Sequence, residues 1–310
     1  MTPTYALPQL DGSIFISDGG LETSLVFLDG VDLPSFAAFP LLDQETGRDM
    51  LRRYFRPYLD IAASKRVGFV LDTPTWRASS DWGAKLGYGQ DRLNQVNKRS
   101  VDFARDLRHA AQLPMPTVIN GVIGPRGDGY KAENQMAGAA AEDYHRPQVR
   151  AFRDAGADMV SAITMTYAQE AIGIARAAAA AGIPVVISFT LETDGRLPSG
   201  ETLAAAIQAV EVNTSAAPAY YIINCAHPTH IGDALDGLGS LSSRLRGLRA
   251  NASKLSHEQL DAATELDAGD PAELGHQYRV LRDRIPHLNV LGGCCGTDHR
   301  HVDAICNACL

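Results

Sequence analysis

The 310-residue sequence predicts an α/β fold, a (β/α)8 TIM barrel forming a single domain over residues 1–310. Short β-branched or aromatic runs alternate with longer Ala-, Leu- and Arg-rich stretches, which implies parallel strands joined by helical crossovers. Eight such runs can be picked out. No Pro- or Ser-rich linker and no repeat of about 20 to 50 residues divides the chain, and one α/β barrel commonly takes about 250 residues. A doubly wound open sheet is the alternative, because periodicity does not show whether a sheet closes. The Gly-rich phosphate fingerprint of a Rossmann domain is absent after the first strand, where Asp18-Gly19-Gly20-Leu21-Glu22-Thr23 stands, so a nicotinamide cofactor loses support.

The strands are expected at 14–17, 68–71, 117–119, 159–163, 185–190, 220–224 and 289–291, with a weaker one at 245–249. Each is a short run bounded by turn residues and rich in Val, Ile, Phe, Tyr or Leu. Helices are expected between them at 46–64, 89–111, 137–155, 168–181, 200–213, 231–238 and 271–284, with a terminal one at 299–308.

Composition narrows the class. With 28 basic and 36 acidic side chains the formal charge is −8, and the basic stretches at Arg52-Arg53 and 244–249 are short and mixed with apolar residues, so no nucleic-acid partner is indicated. No apolar run approaches the roughly 20 residues of a membrane helix. Residues 1–10 lack the order of a signal peptide. A cytoplasmic protein, monomer or homodimer, is expected.

In a barrel the chemistry lies at the C-terminal strand ends. Those ends read Asp18-Gly19-Gly20, Asp72-Thr73-Pro74, Asn120-Gly121, Ile163-Thr164, Thr190, Asn224-Cys225 and Gly292-Gly293-Cys294-Cys295-Gly296. Three of the five cysteines are therefore on one rim. An odd cysteine count is a poor disulfide framework, whereas Cys225, Cys294 and Cys295 converging at one point suit Zn2+ with a fourth position open for a substrate heteroatom. Gly292, Gly293 and Gly296 permit the bend that lets the adjacent pair reach one ion. It is also possible for these cysteines simply to fill space, or for Cys294 and Cys295 to join Cys306 and Cys309 in a closed structural knot. His227 and His299 lie nearest in sequence and are candidates for a fourth ligand or an acid-base group, or for loop and cap roles.

At these residues the sequence resembles the homocysteine S-methyltransferase family, zinc-dependent barrels that include betaine- and S-methylmethionine-homocysteine methyltransferases. The carrying motifs occur in order: Asp18-Gly19-Gly20-Leu21-Glu22-Thr23, 121–124 with Pro125, Glu170-Ala171, Ser188-Phe189-Thr190, Asn224-Cys225 and Gly292-Gly293-Cys294-Cys295-Gly296-Thr297. The resemblance implies an EC 2.1.1-class enzyme of methionine biosynthesis with a small thiol acceptor and an onium methyl donor of the S-methylmethionine, S-adenosylmethionine or betaine type. Cys225, Cys294 and Cys295 would be zinc ligands and, with Asp18, catalytic residues. Asp18 would meet the acceptor ammonium, and Gly19, Thr73, Trp76, Thr164 and Asn224 would complete the substrate pocket. Because 310 residues are used up by the barrel, an appended cobalamin or folate domain is not expected, which disfavours a methylcobalamin-dependent synthase.

Two departures bear on the substrate. The fourth strand should end in Glu-Thr but reads Ile163-Thr164, removing a carboxylate that in relatives helps hold the acceptor ammonium, a charge-assisted bond worth roughly 1.5–3 kcal/mol. A weaker homocysteine site, a different thiol or selenol acceptor, or replacement by Asp72 or Glu192 would each follow. The strand-seven motif near the pocket is matched only in outline by Asn251-Ala252-Ser253. Two further functions keep the same scaffold: a zinc lyase or hydrolase with Asp18 as base, and a zinc-storing or redox-responsive protein using all five cysteines.

Overall fold

The computed structural model describes residues 7–310, so most of the stretch read for a signal peptide lies outside the described residues. Eight parallel strands close into a barrel in sequence order. They are β1 (Phe15–Ile16), β2 (Gly68–Asp72), β3 (Thr117–Ile123), β4 (Met159–Met165), β5 (Val185–Thr190), β6 (Tyr220–Asn224), β7 (Leu245–Ala250) and β8 (Val290–Gly293). Closure is made by β1 against β8, with Phe15 opposite Val290 and Ile16 opposite Leu291. This excludes the open sheet.

The crossovers are α1 (Glu45–Lys65), α2 (Gln90–Ala111), α3 (Gly138–Ala155), α4 (Ala168–Ala181), α5 (Leu203–Thr214), α6 (Gly232–Asp236) and α7 (Pro271–Arg284), with α8 (His299–Cys309) ending the chain. Their limits follow local chemistry. Asp270 accepts from the backbone N–H groups of Ala272 and Glu273, and Pro271 occupies the first turn of α7, where its missing N–H costs nothing. Gly156 and Gly182 end α3 and α4 in the left-handed region that glycine enters freely. Ser256 and Gln259 form a capping box on a short helix, His257–Asp261, between β7 and α7.

Two apolar layers fix the barrel. Phe15, Val70, Val118, Met159, Val186, Tyr220, Ile222 and Val290 pack together with Leu7 from the strands' N-terminal halves, while a larger cluster joins the strands to the helices. Gln9 Nε2 donates to Tyr220 Oη at 3.1 Å in the first layer. Strands β3 and β4 run further than expected, to Ile123 and Met165, so Gly121 and Thr164 are strand residues. Gly121 belongs there because a Cβ would strike the Phe152 ring at 2.5 Å. Among the described residues no helix is long and apolar enough to cross a membrane.

Candidate active site

The residues that directly follow β6 and β8 bring three sulfurs together. Cys225, Cys294 and Cys295 have Sγ atoms that all lie within 4.8 Å of one another, the one such ligand cluster found among the described residues. The sulfurs of Cys225 and Cys294 are in bonding contact, paired as a disulfide with Cα atoms 5.5 Å apart, and Cys295 is a free thiol. The expected convergence is present, and the pairing of two of its members was not anticipated.

The backbone that delivers these sulfurs is tightly specified. Cys294 N–H donates to Ala250 O at 2.9 Å, and Cys295 O accepts from Ala252 N–H at 3.1 Å, tying the turn after β8 to the end of β7. Among the glycines around the pair, Gly296 alone takes a positive φ, +78°. Gly292 and Gly293 lie in β8 and act by size: a Cβ at Gly293 would overlap the Thr297 side chain. On the facing segment a Cβ at Gly20 would lie 2.6 Å from Cys294 O, which explains the Gly-Gly pair after Asp18.

Asp18 does not face the cavity as a free carboxylate. Its Oδ1 lies 2.7 Å from Arg249 Nη2, and its Oδ2 accepts from Tyr54 Oη at 3.0 Å. Arg249 also pairs with Asp72 Oδ2 and donates from Nε to Gly293 O at 3.1 Å. Asp72 Oδ1 in turn accepts from Asn120 Nδ2 at 2.7 Å. Two carboxylates and one guanidinium leave a formal charge of −1 in the group. Burial raises the Asp18 carboxyl to about 6 even with Arg249 beside it, and Arg249 is held firmly protonated by the two carboxylates against the cost of burial.

The remaining expected pocket residues divide. Asp18, Gly19, Thr73, Trp76, Thr164 and all three cysteines line one cavity of about 420 Å3. Within it the Thr73 hydroxyl is already engaged, accepting from Val122 N–H at 3.0 Å and lying 2.6 Å from Thr75 Oγ1. Trp76 Nε1 donates to Ile163 O at 3.3 Å. Asn224 does not line the cavity. It is fully buried behind it, accepting from Thr164 N–H at 3.0 Å and Ser188 Oγ at 2.5 Å, and donating to Thr164 Oγ1 at 2.8 Å. Its amide thereby holds Thr164 (φ +66°), and both Thr164 and Cys225 (φ +52°) are non-glycine residues in the costly left-handed region. Asn224 positions cavity residues through these bonds.

Placement also decides the roles open to the outlying cysteines, histidines and acids. Cys306 and Cys309 are buried in the apolar core on α8, outside the sulfur cluster, so the four-cysteine knot is absent. His227 caps a turn by accepting from Thr229 N–H, burial lowers its imidazole to about 4, and neither it nor His299 joins the cluster. Glu192 Oε1 lies 2.7 Å from His257 Nδ1 and is not in the cavity wall, while Asp72 is tied to Arg249. Asp72 and Ile163 both line the cavity, the Asp72 carboxylate already paired with Arg249.

Several cavity residues were missed by sequence reasoning. Tyr130 Oη donates to Cys295 Sγ at 3.3 Å, and its ring stacks on His257 at 4.1 Å between centroids. His257 Nε2 is 2.8 Å from Cys225 O, so one stacked pair braces two of the cysteines. Glu22 also lines the cavity; burial chiefly, with Asp18 nearby, raises its carboxyl to about 7. Tyr130 lies in a long loop without periodicity, and Glu22 stands inside the Asp18–Thr23 motif with no signal of its own. Arg249 had a signal: a charged residue near the C-terminal end of a barrel strand is where this fold keeps function.

Fold and cavity together define a (β/α)8 barrel with a cysteine-lined centre at the C-terminal mouth. The family model described as homocysteine S-methyltransferase matches residues 15–309, and the chain belongs to that family. It is 26% identical over 98% of its length to a protein named methionine synthase from Mycobacterium tuberculosis, of which it spans 25%. It thus covers about a quarter of that relative. With homocysteine S-methyltransferase 2 of Zea mays it shares 21% identity over 95% of this chain and 89% of that protein. The same fold is found in two crystal structures of the homocysteine methyltransferase MmuM from Escherichia coli. The oxidized form gives a TM-score of 0.78 at 23% identity, covering 98% of this chain and 99% of that one. The metallated form gives 0.76 at 22%, covering 97% and 98%.

Proposed function

We propose that the chain is a zinc-dependent S-methyltransferase that moves a methyl group from an onium donor to a small thiol, with homocysteine as acceptor and methionine as product. One observation carries the reading: three cysteines from the ends of two strands converge in the wall of one cavity, in a chain of this family. The donor set fits zinc, being three sulfurs with no carboxylate. Cys225, Cys294 and Cys295, once Cys225 and Cys294 are reduced, would hold the ion. When bound, zinc favours the deprotonated form of an incoming thiol, whose ordinary pKa is about 8.5.

The chain's own residues supply the rest. Tyr130 hydrogen-bonds Cys295 and orients its sulfur. The Asn224 amide fixes the backbone at Thr164 and approaches Cys294 Sγ at 3.9 Å. Glu22, Asp128 and Asp261 line the same cavity as Trp76 and Tyr130, an acidic and aromatic surface suited to a cationic donor. In transfer the acceptor sulfur forms a bond to the methyl carbon while the carbon–onium bond breaks, and its electron pair leaves with the now neutral donor.

A second acceptor is favoured by one observation. Ile163 stands where relatives carry the carboxylate, and Asp18 and Asp72 are already paired with Arg249, so a thiol or selenol without an α-ammonium is the second reading. The test is methionine formation from homocysteine with S-methylmethionine, S-adenosylmethionine and betaine in turn, using reduced, zinc-loaded protein. Methionine supports homocysteine; its absence with zinc bound, and turnover of another thiol, supports the second acceptor.

A further inference from the structure

Arg77 is a buried cation without an anion. It is 7% exposed and lines the same cavity as the cysteines. Its guanidinium carbon lies 4.1 Å from the Trp76 ring centroid and 3.6 Å from that of Trp82, so indole rings hold it by its face. Among the described residues its one hydrogen bond runs from Nη1 to Gly127 O at 3.1 Å, and Nε is buried with no acceptor. Arg249, buried in the wall of the same cavity, is by contrast paired with Asp18 and Asp72. A guanidinium is always charged, and its planar fork of donors matches a carboxylate. Leaving one desolvated with most donors idle is costly unless something enters the cavity to use them.

Resting on the proposed function, we infer that Arg77 is the anchor for a substrate carboxylate and so sets the distance between that carboxylate and the sulfur centre. Glu22, Asp128 and Asp261 share the cavity and act on Arg77 through space without forming an ion pair. They oppose a dianion and favour a zwitterion, with its cationic group toward these acids and its carboxylate on Arg77. Both substrates of the proposed reaction carry a carboxylate, and the choice between them is a matter for experiment.

Trp76 and Trp82 are the two tryptophans of the chain, so intrinsic fluorescence reports on this residue directly and without turnover. Reduced, zinc-loaded protein would be titrated with homocysteine and with 3-aminopropane-1-thiol, then with S-methylmethionine and with (3-aminopropyl)dimethylsulfonium, the second of each pair lacking only the carboxylate. The wild type is expected to bind the carboxylate-bearing member of one pair about ten- to a hundredfold more tightly. Arg77→Gln should remove that preference while leaving the affinity for the carboxylate-free member unchanged. A preference in the thiol pair assigns Arg77 to the acceptor, and one in the sulfonium pair to the donor. Arg77→Lys keeps the charge but not the fork, and should lose part of the preference, which keeps the test open if Arg77→Gln does not fold. No carboxylate preference in the wild type, or the same preference in the variants, overturns the assignment. Because binding alone is read, failure here is distinct from failure to transfer methyl groups.

Discussion

Arg249 Nη2 lies 2.7 Å from Asp18 Oδ1, joining the end of β7 to the segment after β1 across the mouth of the barrel. The same guanidinium holds Asp72 at the end of β2. Asp18, which the family motif presents as a free acceptor ligand, is therefore the partner of a buried cation. What it offers a substrate is set by that pair.

Removing the cation should be costly. Arg249→Leu leaves two buried carboxylates facing each other, and breaking a buried pair typically costs about 3–5 kcal/mol. Urea denaturation near neutral pH should show a loss of that order. The loss should shrink as the pH falls toward about 6, because Arg249 helps hold the Asp18 carboxyl down to about 6 and without it the carboxyl takes up its proton at higher pH.

Glu22 gives the opposite kind of pH effect from a surface carboxylate. Its carboxyl is raised from 4.5 to about 7, chiefly by burial, so the folded state holds the proton more tightly than the unfolded chain. Its contribution is favourable below pH 4.5 and is lost as pH rises through 7. Glu22→Gln should stabilise the protein at about pH 8, by order 1–3 kcal/mol, and have little effect at about pH 5. Thermal unfolding of both proteins at the two pH values measures the difference.

Tyr130 should be visible in the reactivity of Cys295. Burial raises this thiol, and the hydrogen bond from Tyr130 lowers it. Tyr130→Phe removes the donor that favours the thiolate. The rate of Cys295 alkylation by iodoacetamide in reduced, metal-free protein, followed by mass spectrometry, should shift to higher pH.

Ile163→Glu places a carboxylate in the cavity wall where the family resemblance leads one to expect it. If homocysteine is the acceptor, its KM should fall by about ten- to a hundredfold, with a smaller change in kcat. A thiol without an amino group should gain nothing. Steady-state kinetics with both acceptors separates the two.

Much of this architecture was legible in the sequence because it rests on short-range signals. The runs at 185–190 and 220–224 coincide with β5 and β6, since buried parallel strands are β-branched or aromatic over their whole length. Strands β3 and β4 outrun their sequence signal because Gly121 and Thr164 look like turn residues. Gly121 instead makes room for Phe152, and Thr164 adopts its strained conformation where the β4–β5 register shifts. The sulfur centre was legible because glycine-flanked cysteines at strand ends are rare. The roles of Asn224 and Arg249 were not, because they depend on partners 60 residues away at Thr164 and 231 residues away at Asp18.

The most direct test is methyl transfer together with metal content in the reduced protein and in Cys225→Ser, with Cys306→Ser/Cys309→Ser as control. The account predicts about one zinc per chain and methyl transfer to a thiol in the wild type, both retained in the α8 double variant and both lost in Cys225→Ser. Full activity of Cys225→Ser, or a zinc-loaded wild type that methylates no thiol, would contradict it.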